Sequence, residues 1–331
     1  MARWRQRAFY AERRAGWAVN VARTAPRIAY TRACMRQIVV GTRGSTQALA
    51  QARWAAARLK EEWPETEFKL VTIPSTVEAP ELLHRDLEQA LFASRIDIAV
   101  HNLVDLPIEQ PENIKLSSIP RRLEARDVLV GRAGWKSLAS LPQGASVGAN
   151  TVLRRALLAN YRPDLRLIDV RGDVDARLEA IGRGDCDAVI LAAAGLIRLE
   201  LRNRIDEIID ADVMLPTPGQ GSLGLETRED DEMAEELAYS LHHHASDDRI
   251  TAERAFLAGL GAPAWGNAIG ALASVGEDGA LLLQGCVATQ DGSRIIRAST
   301  EGYADEAEDV GRELAEDLLK QGGREILNSP A

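Results

Sequence analysis

The sequence is poor in cysteine and has no long apolar run. Its 331 residues include three cysteines, at positions 34, 186 and 286, whose spacing matches neither a disulfide framework nor a zinc knuckle. The mean hydropathy is −0.18, and there is no stretch of about 18 apolar residues such as a membrane-spanning helix needs. We therefore expect a cytoplasmic protein from a reducing compartment, without a membrane partner.

Lysine is also scarce, whereas arginine is plentiful. The 40 basic residues comprise 35 arginines and five lysines, and the net charge is −9. The planar, permanently charged guanidinium of arginine binds carboxylates through two hydrogen bonds, whereas the amine of lysine can lose its proton and act as a base or nucleophile. The acidic balance disfavours nucleic acid as a partner. The composition therefore favours a small anionic ligand.

The first 34 residues differ from the rest of the chain. They contain eight arginines and one acid, Glu12. This composition is compatible with an organelle transit peptide, although the segment has no serine. Because an apolar strand is predicted directly after Met35, we favour a basic extension, residues 1–34, that is not part of the fold.

From Met35 onward the pattern predicts an α/β fold with three domains. Two runs of alternating strands and helices indicate two similar domains with parallel sheets and a cleft between them. The last third contains Asp-Gly turns between apolar runs, which predict three antiparallel strands, followed by an amphipathic helix. The predicted domains are residues 35–125 with 218–243, residues 126–217, and a small α+β domain, residues 244–331.

Charged and polar residues follow the predicted strands, where α/β sheets bind ligands. Arg43 and Ser45 follow the first strand, and Asn102 and Asp105 follow the strand that ends at His101. Two later junctions contribute a second group, namely Thr151, Arg154, Arg155, Arg171 and Arg177. We predict that these residues bind carboxylates, with Asp105 as a general acid or base or as a stabiliser of positive charge. The alternative for Asp105 is a helix cap.

No metal site is expected. The run of three histidines from His242 to His244 cannot converge on one ion if it is helical, and no cysteine or carboxylate pattern completes it. Cys186 and Cys286 lie in or beside predicted strands and are expected to be small core residues.

Seven segments of the sequence resemble the porphobilinogen deaminases, also called hydroxymethylbilane synthases. In chain order they are G-T-R-G-S (41–45), R-I-D-I-A-V-H (95–101) with D-L-P (105–107), L-R-R (153–155), R-G-D-V-D-A-R-L (171–178), D-A-V-I-L-A-A-A-G-L (187–196), P-G-Q-G-S-L-G-L-E (218–226) and T-A-E-R-A-F-L (251–257). The resemblance implies three domains, the first two like periplasmic binding proteins. It also implies head-to-tail condensation of four porphobilinogen units with release of ammonia.

The same resemblance implies roles for individual residues. Asp105 corresponds to the aspartate that handles pyrrole nitrogens and proton transfers. The arginines that correspond to holders of acetate and propionate groups are Arg43, Arg154, Arg155, Arg171 and Arg177. In the family, a cysteine in the third domain holds a dipyrromethane cofactor through a thioether.

Several positions depart from the family pattern. Ala264 or Trp265 stands where the family has its cofactor cysteine, and Val104 stands where it has a lysine beside the aspartate. The loop at residues 72–80 lacks the usual lysine and glycines, and the segment at 148–152 is one residue longer. We therefore expect that covalent dipyrromethane is absent and that the chain has no cofactor.

Three functions fit these observations. The favoured one is a divergent, cofactor-free enzyme, expected to be a monomer, that acts on a small carboxylate-bearing substrate such as a pyrrole. The second is hydroxymethylbilane synthase itself, with a primer held noncovalently. The third is a protein that binds an anionic ligand without catalysis.

Overall fold

The computed structural model describes residues 37–75, 82–132 and 134–328, so the predicted extension, residues 1–34, lies outside the described residues. The described part is an α/β structure with three sheets. Its strands are β1 (Ile38–Thr42), β2 (Phe68–Thr72), β3 (Ile98–Asn102), β4 (Ile114–Ser118), β5 (Asp127–Gly131), β6 (Ser146–Gly148), β7 (Arg166–Ile168), β8 (Ala188–Ala192), β9 (Glu207–Ile208), β10 (Leu223–Arg228), β11 (Ala268–Val275), β12 (Ala280–Ala288) and β13 (Ile295–Tyr303).

The main helices fall between these strands or follow them. They are α1 (Thr46–Glu62), α2 (Arg85–Phe92), α3 (Val152–Tyr161), α4 (Val174–Arg183), α5 (Ala193–Arg198), α6 (Glu232–Tyr239), α7 (His244–Leu260), α8 (Ala307–Leu318) and α9 (Arg324–Leu327). No helix of the described residues is both long and apolar enough to cross a membrane.

The first two sheets have five strands each and the same arrangement. Their strand orders are β2-β1-β3-β10-β4 and β7-β6-β8-β5-β9. In the first sheet β1 pairs in parallel with β2 and β3, whereas β10 is antiparallel to β3 and β4. In the second, β6 is parallel to β7 and β8, whereas β5 is antiparallel to β8.

The prediction of parallel sheets therefore holds for β1–β3 and for β6–β8 but not for β10 and β5, which are antiparallel to their neighbours. The chain leaves the first sheet after β4 through a first crossover, residues 119–126, and forms β5 to β9 of the second sheet. It returns as β10 through a second crossover, residues 209–222. Each crossover delivers a strand that runs against its neighbour, so both sheets are mixed. Strand–helix alternation predicts the parallel half of each sheet but is blind to these crossover strands.

The third sheet is antiparallel, with the order β11-β12-β13. Its strands pair in continuous register from Ala268↔Ala288 to Ala280↔Tyr303, as the predicted Asp-Gly turns require. Helices α7 and α8 cover one face, where the buried core includes Phe256, Leu283 and Leu314. The predicted α/β class with three sheet-containing parts is confirmed; the domain bounds stay a prediction.

Three helix starts explain why the polar residues gather at one edge of the sheets. Ser45, Thr151 and Asp173 each accept a hydrogen bond from a backbone N–H in the first turn of α1, α3 and α4. Each cap follows the carboxyl end of a strand within a few residues. The helix N-termini therefore lie at the strand ends, where an anion is favoured.

Candidate active site

Asp105 lies at the end of a short 3₁₀ turn, Leu103–Asp105, that follows β3 directly. Its Oδ2 accepts a hydrogen bond of 3.2 Å from Nη1 of Arg43, and the two side chains are 12% and 24% exposed. Burial raises the pKa of the Asp105 carboxyl, and the positive charge of Arg43 opposes that rise. This carboxylate is therefore a partly shielded group whose proton affinity exceeds that of a surface aspartate.

A buried cluster of acids and histidines lies behind Asp105. The Nδ1 of His84 is 3.1 Å from the backbone oxygen of Asp105, and its Nε2 is 3.9 Å from Oε2 of Glu88. Nearby, Nε2 of His101 lies 2.9 Å from Oε2 of Glu226, and both side chains are buried. Burial, together with the charge of Glu226, raises the pKa of Glu88 to about 7, and burial lowers the pKa of His84.

A cavity of about 950 Å³, including its open mouth, lies beside this turn. It is bounded by the end of β3, the first turns of α3 and α4, helix α5, the second crossover and a loop before β11. The residues that line it with polar or aromatic side chains are Gln47, Asn102, Asn150, Thr151, Arg154, Arg177, Arg198, Thr217, Gln220, Ser222, Trp265 and Asn267. All three sheet-containing parts of the protein therefore contribute to one cavity.

Three arginines give the cavity a positive wall. Arg154 donates to Asp127 at 2.7 Å and to Asn150 at 2.9 Å. The Nε of Arg177 is buried and has no hydrogen-bond partner. Burial, helped by the charge of Arg154, lowers the pKa of Arg177 to about 10, and burial lowers the pKa of Arg198 to about 10. Both remain charged at neutral pH, and a bound carboxylate would stabilise that charge.

The structure brings together some of the predicted site residues and separates others. Thr151, Asn102, Arg154 and Arg177 line the cavity, and Asp105 pairs with Arg43 next to it. Three other predicted residues do not line the cavity. Ser45 caps α1, Arg155 is half-buried on α3, and Arg171 is 89% exposed and paired with Asp169.

Sequence reasoning missed Arg198 and Gln220. Arg198 ends α5, directly after β8, and its Nη2 donates to the backbone oxygen of Gly221 at 2.8 Å. The same rule, that ligand residues follow strand ends, could have found Arg198, because β8 is a third strand of the second sheet that ends directly before a helix. The side-chain amide of Gln220 donates to Asp127 and accepts from Arg154.

The third-domain loop places Ala264 and Trp265 at the cavity, next to the crossover. Cys186 and Cys286 are both fully buried, and burial raises the pKa of the Cys286 thiol to about 11. Among the described residues that line the cavity there is no cysteine. The described part of the chain also has no cluster of histidine, cysteine and carboxylate side chains that could hold a metal ion.

Comparison with known proteins identifies the family. Residues 38–236 match the model "Porphobilinogen deaminase, dipyromethane cofactor binding domain", and residues 248–320 match "Porphobilinogen deaminase, C-terminal domain". The chain is 53% identical over 313 residues to a porphobilinogen deaminase of Deinococcus radiodurans, covering 89% of this chain and 99% of that one. It is 54% identical over 299 residues to a porphobilinogen deaminase of Thermus thermophilus, covering 88% and 99%.

Solved structures give weaker similarities. The aliphatic sulphonate binding protein SsuA of Escherichia coli matches with a TM-score of 0.38 and 16% identity, over 67% of this chain and 74% of that one. The effector-binding domain of BenM with benzoate matches with a TM-score of 0.40 and 15% identity, over 69% and 96%.

These matches overturn the prediction that the chain has no cofactor. The family domain matched by residues 38–236 is the one that binds dipyrromethane, and the relatives above are porphobilinogen deaminases. The cavity fits the carboxylates of such a group through Arg154, Arg177 and Arg198, although its described lining offers no thiol.

The match to both family models, in chain order, agrees with the seven sequence segments and with the arginine-lined cavity beside Asp105. Two relatives with more than half of their aligned residues identical extend over almost their whole length. This chain belongs to the porphobilinogen deaminase family of enzymes.

Proposed function

We propose that this chain is a hydroxymethylbilane synthase, which joins porphobilinogen units head to tail and releases ammonia at each step. The observation that carries the proposal is the pairing of one partly buried carboxylate, Asp105, with Arg43 beside a cavity walled by three arginines. Porphobilinogen has the complementary chemistry, namely a pyrrole N–H for the carboxylate and two carboxylates for the arginines.

Asp105 would act on the charge that develops on the pyrrole. When ammonia leaves with the electron pair of its C–N bond, the ring becomes positive, and an ionised carboxylate near the ring nitrogen stabilises that charge. When the new C–C bond forms, the attacked ring carbon loses a proton, which the same carboxylate can accept. The raised pKa of Asp105 suits this second task, because a stronger base takes up a proton more readily.

The arginines would fix the orientation of the substrate. Arg154 is already tied to Asp127 and Asn150, so its guanidinium is held in place before the ligand arrives. Arg177 has a buried Nε without a hydrogen-bond partner and therefore has donor capacity to offer. A planar guanidinium binds a carboxylate through two parallel hydrogen bonds, which orients as well as holds it.

A dipyrromethane bound in the cleft would supply the pyrrole carbon to which the first porphobilinogen unit is joined. Since the described lining of the cavity has no thiol, we propose that the dipyrromethane is held noncovalently, with Arg198 binding one of its carboxylates while Arg154 and Arg177 bind the incoming porphobilinogen. Native mass spectrometry of the purified protein should show a bound dipyrromethane, and denaturing mass spectrometry should show the bare chain. A dipyrromethane mass that survives denaturation would contradict noncovalent binding.

The activity is tested with Asp105→Asn, which preserves the shape of the side chain but removes its charge. We expect porphobilinogen consumption and ammonia release to fall by about 100-fold to 10,000-fold, the usual contribution of a general acid or base. Asp185→Asn, at the exposed pair with Arg183, is the matched control and should consume porphobilinogen like the wild type. If the wild type as purified leaves porphobilinogen unchanged, the proposed function is wrong.

A further inference from the structure

The loop before β11 presents an aromatic ring to the cavity. Trp265 lines the cavity together with Ala264 and Asn267, and it is the only aromatic residue among the described residues of the lining. Trp265 is 36% exposed, although tryptophan is among the most hydrophobic of residues. The ring is therefore available to a ligand in the cavity.

The loop around Trp265 is anchored on both sides. Ala264 packs against the core of the third domain, and Nδ2 of Asn267 donates to the backbone oxygen of Pro263 at 2.9 Å. Gly266 has φ +82°, a conformation that favours glycine, and Ala268 begins β11. The backbone thus turns sharply after Trp265, which lines the cavity while its neighbours are fixed.

The lining combines this ring with the positive charge of Arg154, Arg177 and Arg198. Such a combination suits a ligand that is itself a flat aromatic ring with carboxylates attached. Offset stacking of two rings contributes affinity beyond the buried area, and it tolerates variation in the ring that binds. An aliphatic polycarboxylate would gain from the arginines but not from the indole.

We propose that Trp265 is a pyrrole-binding residue, whose indole stacks on a ring of the pyrrole ligand in the cleft. The proposal rests on the proposed function, because it takes the ligand to be a pyrrole. Trp265 lies in the segment where the family carries its thioether cysteine. In this chain, stacking by Trp265 and ion pairs to the arginines together retain the pyrroles at that end of the cavity.

The test measures binding of porphobilinogen by calorimetry, with Asp105→Asn as the parent so that turnover does not interfere. Added to this parent, Trp265→Leu should weaken binding about threefold to tenfold, because it keeps apolar bulk but removes the ring. Trp265→Phe should restore binding to within about twofold of the parent. Trp54→Leu is the matched control, since Trp54 is 37% exposed on α1 and outside the cavity, and it should bind like the parent.

Two results would overturn the proposal in different ways. If the parent binds porphobilinogen and Trp265→Leu binds it equally well, or Trp265→Phe fails to restore binding, the stacking role is wrong while the proposed function stands. If the wild type leaves porphobilinogen unchanged, the proposed function falls and the stacking role falls with it. Thermal unfolding of each variant should match the parent, because the exposed ring of Trp265 contributes little to the core.

Discussion

Arg154, Arg171 and Arg177 all follow strand ends in the second sheet, yet the fold uses them differently. Arg154 is held by Asp127, Arg177 reaches the cavity, and Arg171 points to solvent in a pair with Asp169. Position relative to the helix explains the difference. Arg171 precedes the cap of α4, whereas Arg177 lies one turn inside that helix, on the side that faces the cavity.

This contrast predicts unequal effects of two matched substitutions. Arg177→Ala should raise KM for porphobilinogen about tenfold or more, because it removes a charged hydrogen-bond donor from a partly desolvated site. Arg171→Ala should change KM less than about twofold, since exposed ion pairs contribute little. Steady-state assays of the two variants check this. Equal effects would mean that Arg171 also reaches the substrate.

Glu88 gives a prediction for the pH dependence of stability. Its side chain is nearly buried, and burial with the charge of Glu226 raises its pKa from 4.5 to about 7. The folded state therefore binds the proton more tightly than the unfolded state does. The stability that this provides is fully present below about pH 4.5 and is lost as the pH rises through about 7.

Glu88→Gln imitates the protonated form and should remove this loss. At pH 8 the variant should be more stable than the wild type by about 2–3 kcal/mol, and the difference should shrink towards pH 5. Urea unfolding at several pH values measures it. Because the two proteins differ only at residue 88, the difference at each pH reports the Glu88 carboxyl together with its coulombic coupling to Glu226 and His101. Glu61→Gln, an exposed substitution, should show no such pH trend.

At the scale of elements, helix α7 joins parts of the chain that are far apart in sequence. The buried carboxylate of Glu253 accepts hydrogen bonds from the backbone N–H groups of Gly219, at 2.7 Å, and Ala273, at 2.8 Å. It also forms a two-bond ion pair with Arg122, at 2.6 and 3.1 Å. One side chain thus links the third sheet to both crossovers between the first two sheets.

Glu253→Gln should therefore be strongly destabilising. The amide can accept with one oxygen only, and it leaves the buried guanidinium of Arg122 without a counter-charge, which costs about 3–5 kcal/mol. Glu325→Gln, at an exposed pair with Arg294 in the same part of the chain, should cost less than about 1 kcal/mol. Denaturant unfolding distinguishes them, and comparable losses would show that Glu253 is replaceable.

Much of the element pattern was predictable, because local signals and the fold agree there. The alternation of strands and helices and the Asp-Gly turns predict the parallel strands and the third sheet, and the third sheet follows its turns closely. The antiparallel strands β5 and β10 were not predictable, since their partners lie about 60 or more residues away or across a crossover.

The same holds within the site. The strand-end rule located Asp105 and Arg177, whereas only the tertiary structure shows that Arg198 lines the cavity and that Arg171 does not.

At the scale of the whole molecule, the site depends on the two crossovers. The second crossover carries Gln220 and Ser222 into the cavity, and Arg198 donates to the backbone oxygen between them. Gly221 has φ +88°, and a Cβ there would lie 2.9 Å from the backbone oxygen of Glu124 in the first crossover. The two crossovers thus pass so close together that only glycine fits at this point.

Gly221→Ala should therefore affect stability and substrate binding together. A methyl group must push the crossovers apart, while the left-handed backbone already disfavours alanine by about 1–2 kcal/mol. Gly144→Ala is the matched control, because Gly144 has φ +76° and open space around it, so it carries the backbone penalty alone. We expect Gly221→Ala to lose at least about 2 kcal/mol more of the free energy of unfolding than the control in urea unfolding.

The KM of Gly221→Ala for porphobilinogen should also rise, since Gln220 and Ser222 move with the crossover, whereas Gly144→Ala should leave KM unchanged. Equal losses of stability in the two variants would mean that the crossovers can separate freely, and the cavity would then not depend on their close contact.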